Sequence, residues 1–340
     1  LRNVFKGAEI LQISGNGSLG ASKDVADNNS FFNISEFGVT SKLSIPRVML
    51  PINVDRWIPK YMAPTTNISL GFNAQNNIGL DRQSLSGIYN YNWRPSKTRT
   101  NSFDLFNVQF VRNLNTSNYF NIYTNSYNQA NEIAKDIENS NPGTIDPSLY
   151  SISQDNEIQL GIPSGIDTFL NNSAQGAYPL DQDQTNTLFS VIQREARLTE
   201  NNLIFATNFT WTQDTRENIF DKNFSRLRWK LETAGEILSG ISNILGLEKN
   251  NNENYETLGV VFSQYAKVEA EFIKHWQVSN DYVLAIRAFG GIAVPYGNSE
   301  SIPFTRSYFA GGANDNRGWR PYDLGPGSSG SLFEFNEANF

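Results

Sequence analysis

A period of two is the feature that most constrains this chain. From Leu258 to Trp276 the even positions read Leu, Val, Phe, Gln, Ala, Val, Ala, Phe, Lys, Trp. The odd positions read Gly, Val, Ser, Tyr, Lys, Glu, Glu, Ile, His. One set is nearly apolar and the other carries charges of both signs. Side chains of a β-strand point alternately to two faces, so this run predicts one long two-faced strand. The pattern recurs along the chain. Leu227, Trp229 and Leu231 oppose Arg226, Arg228, Lys230 and Glu232. Leu203, Phe205, Phe209 and Trp211 oppose Asn208, Thr210 and Thr212. Phe106, Val108 and Phe110 oppose Asn107 and Gln109, while Tyr282, Leu284, Ile286 and Ile292 oppose Arg287.

Soluble sandwiches and solenoids alternate too. Three features favour an all-β fold of another kind, an antiparallel transmembrane β-barrel. The strands are longer than the usual five or six residues, and their polar faces carry clustered charges. Trp93, Trp211 and Trp276 fall near strand ends, where an interfacial aromatic girdle sits. No fixed repeat runs along the chain, as a solenoid would need.

Twelve strands are predicted, near 7–20, 32–45, 65–76, 79–93, 101–112, 118–126, 186–198, 201–214, 219–234, 255–276, 281–293 and 331–340. Helices are predicted at Gln129–Glu138 and Glu236–Leu247. Some connections are short (95–100, 199–201, 277–280) and others long (127–185, 294–330). Short turns on one rim and long loops on the other are the habit of outer-membrane barrels.

Composition agrees. Only 18% of the 340 residues are charged, below the usual quarter, and 43 are Asn. Such polarity without charge suits a wet cavity and long loops. The net charge of −7 argues against non-specific nucleic-acid binding. Cys is absent and there is one His, which excludes disulfides, thiolate chemistry and a His-rich metal site. The most apolar stretch, Tyr282 to Pro295, is interrupted by Arg287 and is too short to cross a bilayer as a helix. A mean hydropathy of −0.43 fits a barrel, whose strands mix lipid-facing and water-facing residues.

The segment Ser307 to Ser329 is rich in Gly and Pro and holds Gly311, Gly312, Arg317, Gly318, Trp319, Leu324, Gly325 and Pro326. So many glycines leave the backbone free unless side chains pack it down. Arg317 and Trp319 are the natural anchors, one forking onto a carboxylate and the other wedging against a wall. The order Gly-Gly, Arg-Gly-Trp, Leu-Gly-Pro resembles the loop-six signature of the Omp85 superfamily, the BamA- and TamA-type barrels of bacterial outer membranes. The runs Ile292–Asn298 and Ser301–Phe304 most resemble TamA-like members from Bacteroidota.

This resemblance implies a barrel of sixteen strands with the loop between strands eleven and twelve. About twelve of the sixteen are expected over residues 1–340, eleven of them ahead of the loop, which spans about 294–330. Family members carry POTRA modules before the barrel and further strands after the loop. No POTRA module and only the strand at 331–340 after the loop are read here, about four strands short of the family barrel, so a truncated, partial barrel is expected. The resemblance further implies that Arg317-Gly318-Trp319 enters the lumen as a latch. Glu269 and Glu271, on the polar face, are the candidate partners within this chain. It also implies a lateral seam at strand one, here Ile10, Leu11, Gln12, Ile13 and Ser14. That run alternates poorly and is followed by Gly15 and Gly17, so its register is weakly specified. A substrate strand would pair with that edge by β-augmentation.

The implied function is insertion or export of outer-membrane or surface proteins, without a cofactor. The implied partners are outer-membrane lipids, unfolded substrate proteins and periplasm-spanning or lipoprotein subunits. Two other readings compete. An enzyme would need partners for His275, and Ser279 nearby has no sequence-evident acid, so no catalytic residues are expected. A passive porin or nutrient receptor could use Arg226, Arg228 and Lys230 to steer anions. It would have no use for an Arg-Gly-Trp latch.

Overall fold

The computed structural model describes residues 1–20, 34–76, 81–153, 157–247, 249–250, 253–257, 259–308 and 317–318. Nine strands build one antiparallel wall in chain order. They are β1 (Ile10–Gly20), β2 (Ile34–Ile45), β3 (Thr65–Asn76), β4 (Asp81–Ser96), β5 (Arg99–Leu114), β6 (Asn202–Asp214), β7 (Ser225–Ala234), β8 (Tyr265–Gln277) and β9 (Val283–Pro295). The β8–β9 pair runs from Tyr265 opposite Pro295 to Gln277 opposite Val283 without a shift. In β5 a bulge between Asp104 and Asn107 keeps both side chains on the polar face.

The two faces are those the alternation predicts. Phe72, Leu85, Leu231, Phe272, Ile286 and Ile292 all lie exposed on one side. A continuous apolar surface of this extent suits lipid rather than water. The opposite face is held by amides. Ser44 donates to Asn67 at 2.8 Å, Asn67 to Asn90 at 3.3 Å, and Asn90 to Ser102 at 2.8 Å. Asn107 and Asn208 both donate to Asp104, at 3.2 and 2.6 Å. The abundance of Asn thus has a structural use: short side chains that both donate and accept, passed from strand to strand across the polar face.

Three expectations need correction. The strands predicted at 118–126 and 186–198 are helical, so nine wall strands, not eleven, precede the loop among the described residues. The run 255–276 is not one strand. It holds a two-residue pair, Glu256–Thr257 with Val260–Val261, before β8 begins at Tyr265. Gly259 at φ +72° makes the break. β1 alternates better than its sequence suggests. Asn16 packs against Gly38 on the polar face, which puts Gly15 and Gly17 at apolar-face positions opposite Val39 and Phe37. The strand expected at 331–340 lies outside the described residues.

The connections sort by rim. One rim carries residues 1–9, 46–64, the turn between Ser96 and Arg99, 215–224 and 278–282. The other carries the described residues of 115–201, 235–264 and 296–308. The 115–201 insertion is a helical body with its own core. Its longer helices are α1 (Thr124–Ser140), α2 (Ser164–Ala174) and α3 (Gln182–Thr199). Tyr119, Phe120, Ile133, Ile166, Phe169 and Leu188 are among its buried residues. A capping box opens α3: Asp181 accepts from the Gln184 backbone at 2.7 Å, and Gln184 accepts from that of Asp181. The predicted helix near 129–138 is the middle of α1, and that at 236–247 is α4 (Glu236–Leu245).

Candidate functional site

The site is the stretch of polar wall on β7, β8 and β9 and the polypeptide that returns to it after Pro295. The wall comes first. Register places Glu232 opposite Lys267, Lys230 opposite Glu269 and Arg228 opposite Glu271. Each acid thus meets a base across the strand pair. Glu271 sits 2.7 Å from Arg287 and 3.5 Å from Arg228. Glu269 sits 3.0 Å from Lys267. Glu232 is only 2% exposed. It accepts from the Tyr265 hydroxyl at 2.7 Å and pairs with Lys230 at 2.7 Å. An acid so buried is tolerated because cations and a hydroxyl surround it.

The chain after β9 turns back at Gly297, whose φ is +58°. Asn298, which is buried, fixes that turn. Its backbone N–H donates to the Gln264 side chain at 2.7 Å. Its amide donates to the Tyr255 and Phe262 carbonyls at 2.8 and 3.0 Å. A single 3-10 turn, Phe304–Arg306, then points its last residue at the wall. Arg306 Nη1 lies 3.8 Å from Glu232, and Nη2 donates to Asn107 at 3.1 Å. The Arg306 carbonyl accepts from Lys267 at 2.9 Å.

Two residues on, the Tyr308 hydroxyl donates to Glu269 at 3.0 Å. Its ring lies under the Lys267 ammonium, 4.1 Å from the centroid, and edge-on to Phe289. Gly291 makes the seat for that ring. A Cβ there would lie 2.7 Å from Tyr308 Cζ, inside van der Waals contact.

Glu269 and Glu271 therefore face the loop's side of the wall, and Glu269 meets the loop through Tyr308. Arg317 and Gly318 form an exposed turn. Gly311, Gly312, Trp319, Leu324, Gly325 and Pro326 lie outside the described residues. β1 is an edge of the sheet. Residues 1–9 cover its start: Leu11 N–H donates to the Leu1 carbonyl at 2.9 Å, and Asn3 N–H to that of Glu9 at 2.6 Å. Of Ile10, Leu11, Gln12, Ile13 and Ser14, the last three have no strand on their outer edge among the described residues. His275 stacks on Phe224 at 4.4 Å, which gives it a packing role.

Sequence reasoning missed Arg306, Tyr308 and Asn298 as site residues. Their signal is weak: an Arg and a Tyr flanking a Ser, just ahead of the glycines that draw attention. The seat at Gly291 is hidden within an ordinary strand.

The Omp85 superfamily domain matches residues 120–337. No curated protein matches the chain. Among solved structures it is similar to BamA from Haemophilus ducreyi lacking POTRA domains 1–3. That likeness has 11% identity and a TM-score of 0.42, over 94% of this chain and 47% of that one. The chain thus spans about half the length of that relative. With the family match covering more than half of its residues, this chain belongs to the Omp85 superfamily.

Proposed function

We propose that this chain is the membrane-embedded part of a bacterial outer-membrane factor that inserts or exports β-barrel or surface proteins. The observation that carries the reading is the return of the chain after β9 to the charged wall, where Arg306 reaches Glu232 and Tyr308 reaches Glu269. Pores also fold loops inward, so the reading leans on which elements these contacts join: the loop that leads to Arg317-Gly318-Trp319 and the charged face of β7 and β8. The connections are shorter on one rim than on the other, where 115–201 lies, which favours an orientation with the helical insertion and the loop outside the cell. The polar face is then the lumenal face. Lumenal Arg228 and Lys230 sit against Glu271 and Glu232, which weakens the case for an anion-steering pore.

Within this reading, Arg317-Gly318-Trp319 continues the loop along the lumen as a latch, with Gly311, Gly312, Leu324, Gly325 and Pro326 shaping its path. The edge of β1 from Gln12 onward serves as the strand that receives substrate. An unpaired edge is ordinarily a hazard, and here it is the working surface. The TamA-like subtype, the periplasm-spanning or lipoprotein partners and the absence of a cofactor belong to the same proposal.

The test is reconstitution of the full-length protein into phospholipid vesicles with an unfolded outer-membrane barrel as substrate. Substrate insertion faster than into empty vesicles supports the reading. Unchanged insertion together with free passage of small solutes would replace it with a pore.

A further inference from the structure

The helical insertion meets the loop at Arg197. Arg197, in the last turn of α3, donates from Nη2 to Ser307 Oγ at 3.1 Å. Ser307 stands between the two residues that touch the charged wall, Arg306 and Tyr308. It is also tied back to the 3-10 turn: its N–H donates to the Pro303 carbonyl at 3.1 Å, as does its hydroxyl. The Arg306 N–H donates to that same carbonyl at 2.8 Å. Arg306-Ser307-Tyr308 is therefore a short, internally braced segment. A pull on its middle residue moves both neighbours.

The wall contacts are built to be releasable. Glu232 keeps Lys230 and Tyr265, both at 2.7 Å, when Arg306 leaves, and Arg306 at 3.8 Å is the most distant of these three. Glu269 keeps Lys267 at 3.0 Å when Tyr308 leaves. Neither carboxylate is orphaned, so undocking does not incur the cost of an unpaired buried charge. On the loop side, the buried Nε of Arg306 has no hydrogen-bond partner among the described residues. The docked state thus leaves one buried donor of the loop without a partner, which lowers the cost of releasing the loop.

We propose that Arg306-Ser307-Tyr308 is a releasable clasp and that the helical insertion, through Arg197, sets whether it is closed. Arg197 and Ser307 are positioning residues: they touch no substrate and act by holding Arg306 and Tyr308 on the wall. The insertion carries eleven acidic and three basic residues, so its charge is unlike that of the rest of the chain. Whatever binds or displaces that acidic body from outside biases the loop at the wall. The clasp concerns the loop's position only and stands or falls separately from the assembly reading.

The test is hydrogen exchange on the full-length protein in vesicles, comparing Arg197→Ala, Arg197→Lys and Ser307→Ala with the parent. Exchange of the 302–308 peptide is expected to quicken about tenfold in Arg197→Ala and in Ser307→Ala, a typical coupling between sites. Peptides covering 124–140 and 164–174 should stay as protected as in the parent, and Arg197→Lys should recover part of the effect. A second arm uses Arg197→Glu, which keeps a long side chain but removes the donor to Ser307, and exchange at 302–308 should quicken at least as much as in Arg197→Ala. Exchange at 302–308 that is unchanged in Arg197→Ala and Ser307→Ala, or Arg197→Glu as protected as the parent, overturns the clasp. No arm reads protein insertion, so failure of the assembly reading leaves this result interpretable.

Discussion

Glu232 is the most deeply buried carboxylate of the charged wall. It accepts from Tyr265 and faces Lys230 and Arg306, and it is almost wholly buried. Removing it leaves two cations short of a counter-charge inside a packed layer. Glu232→Ala should destabilise the folded protein by about 3–5 kcal/mol, the usual effect of breaking a buried ion pair. Thermal unfolding in detergent or vesicles measures it, and Glu232→Gln, which keeps an acceptor for Tyr265, should lose less. Gly235 is a second sensitive position. It reverses the chain after β7 at φ +80° and donates its N–H to the Phe205 carbonyl at 2.9 Å. A Cβ there would lie 2.7 Å from the Ser263 carbonyl oxygen. Gly235→Ala should cost about 1–3 kcal/mol, from the left-handed backbone and the clash together. Equilibrium unfolding that leaves this variant level with the parent would contradict the described turn.

At the scale of elements, the strands with long clean alternation were legible. β7, β8 and β9 each show one apolar and one charged set, and the structure places those sets on opposite faces. The two helical segments misread as strands have a common cause. Residues 186–198 read as alternating, yet Leu188, Val191, Ile192 and Leu198 fit a helical period and pack on the insertion's core. The Asp181–Gln184 capping box ahead of them is the signal that decides for a helix. In 118–126, adjacent Tyr119 and Phe120 are both buried, which a two-faced strand would not allow. The site was legible only in part. Charges on β7 and β8 were visible, but which loop residues they hold depends on where the turn at Gly297 aims the chain.

The insertion also has a built-in pH dependence. Burial, reinforced by the Asp167 carboxylate, pushes Glu195 on α3 up to about 7, from an ordinary 4.5. Between those values the folded form holds a proton that the unfolded form has lost. This group's stabilising contribution is therefore complete below about 4.5 and is lost as pH rises through about 7. Glu195→Gln should protect 115–201 against hydrogen exchange more than the parent does at pH 8, and the gap should close towards pH 5. A variant no more protected than the parent at pH 8 would show that the carboxylate is not strained there.

On the scale of the whole molecule, the proposed arrangement has one wall separating lipid from a polar lumen. Leu231 lies on the apolar face and is half exposed in the isolated chain. Leu231→Lys should cost about 2–4 kcal/mol for folding into a bilayer if that position sits near the midplane. Folding into vesicles under a urea series measures it, and an equal change in Gln109→Lys, on the polar face, would argue against the assignment of faces.

Where the loop lies in the intact protein is the most direct question to put to the molecule. Tyr308→Cys paired with Gly291→Cys, in the full-length protein in native outer membranes, puts one thiol on each side of the contact now made by the tyrosine ring. A loop docked on the lumenal wall predicts that a short bifunctional thiol crosslinker joins the two positions, and little labelling of the position-308 thiol by a bulky external maleimide. No crosslink between positions 308 and 291, together with ready labelling of position 308 from outside, would put the loop outside the lumen and contradict the latch on which the proposed function rests.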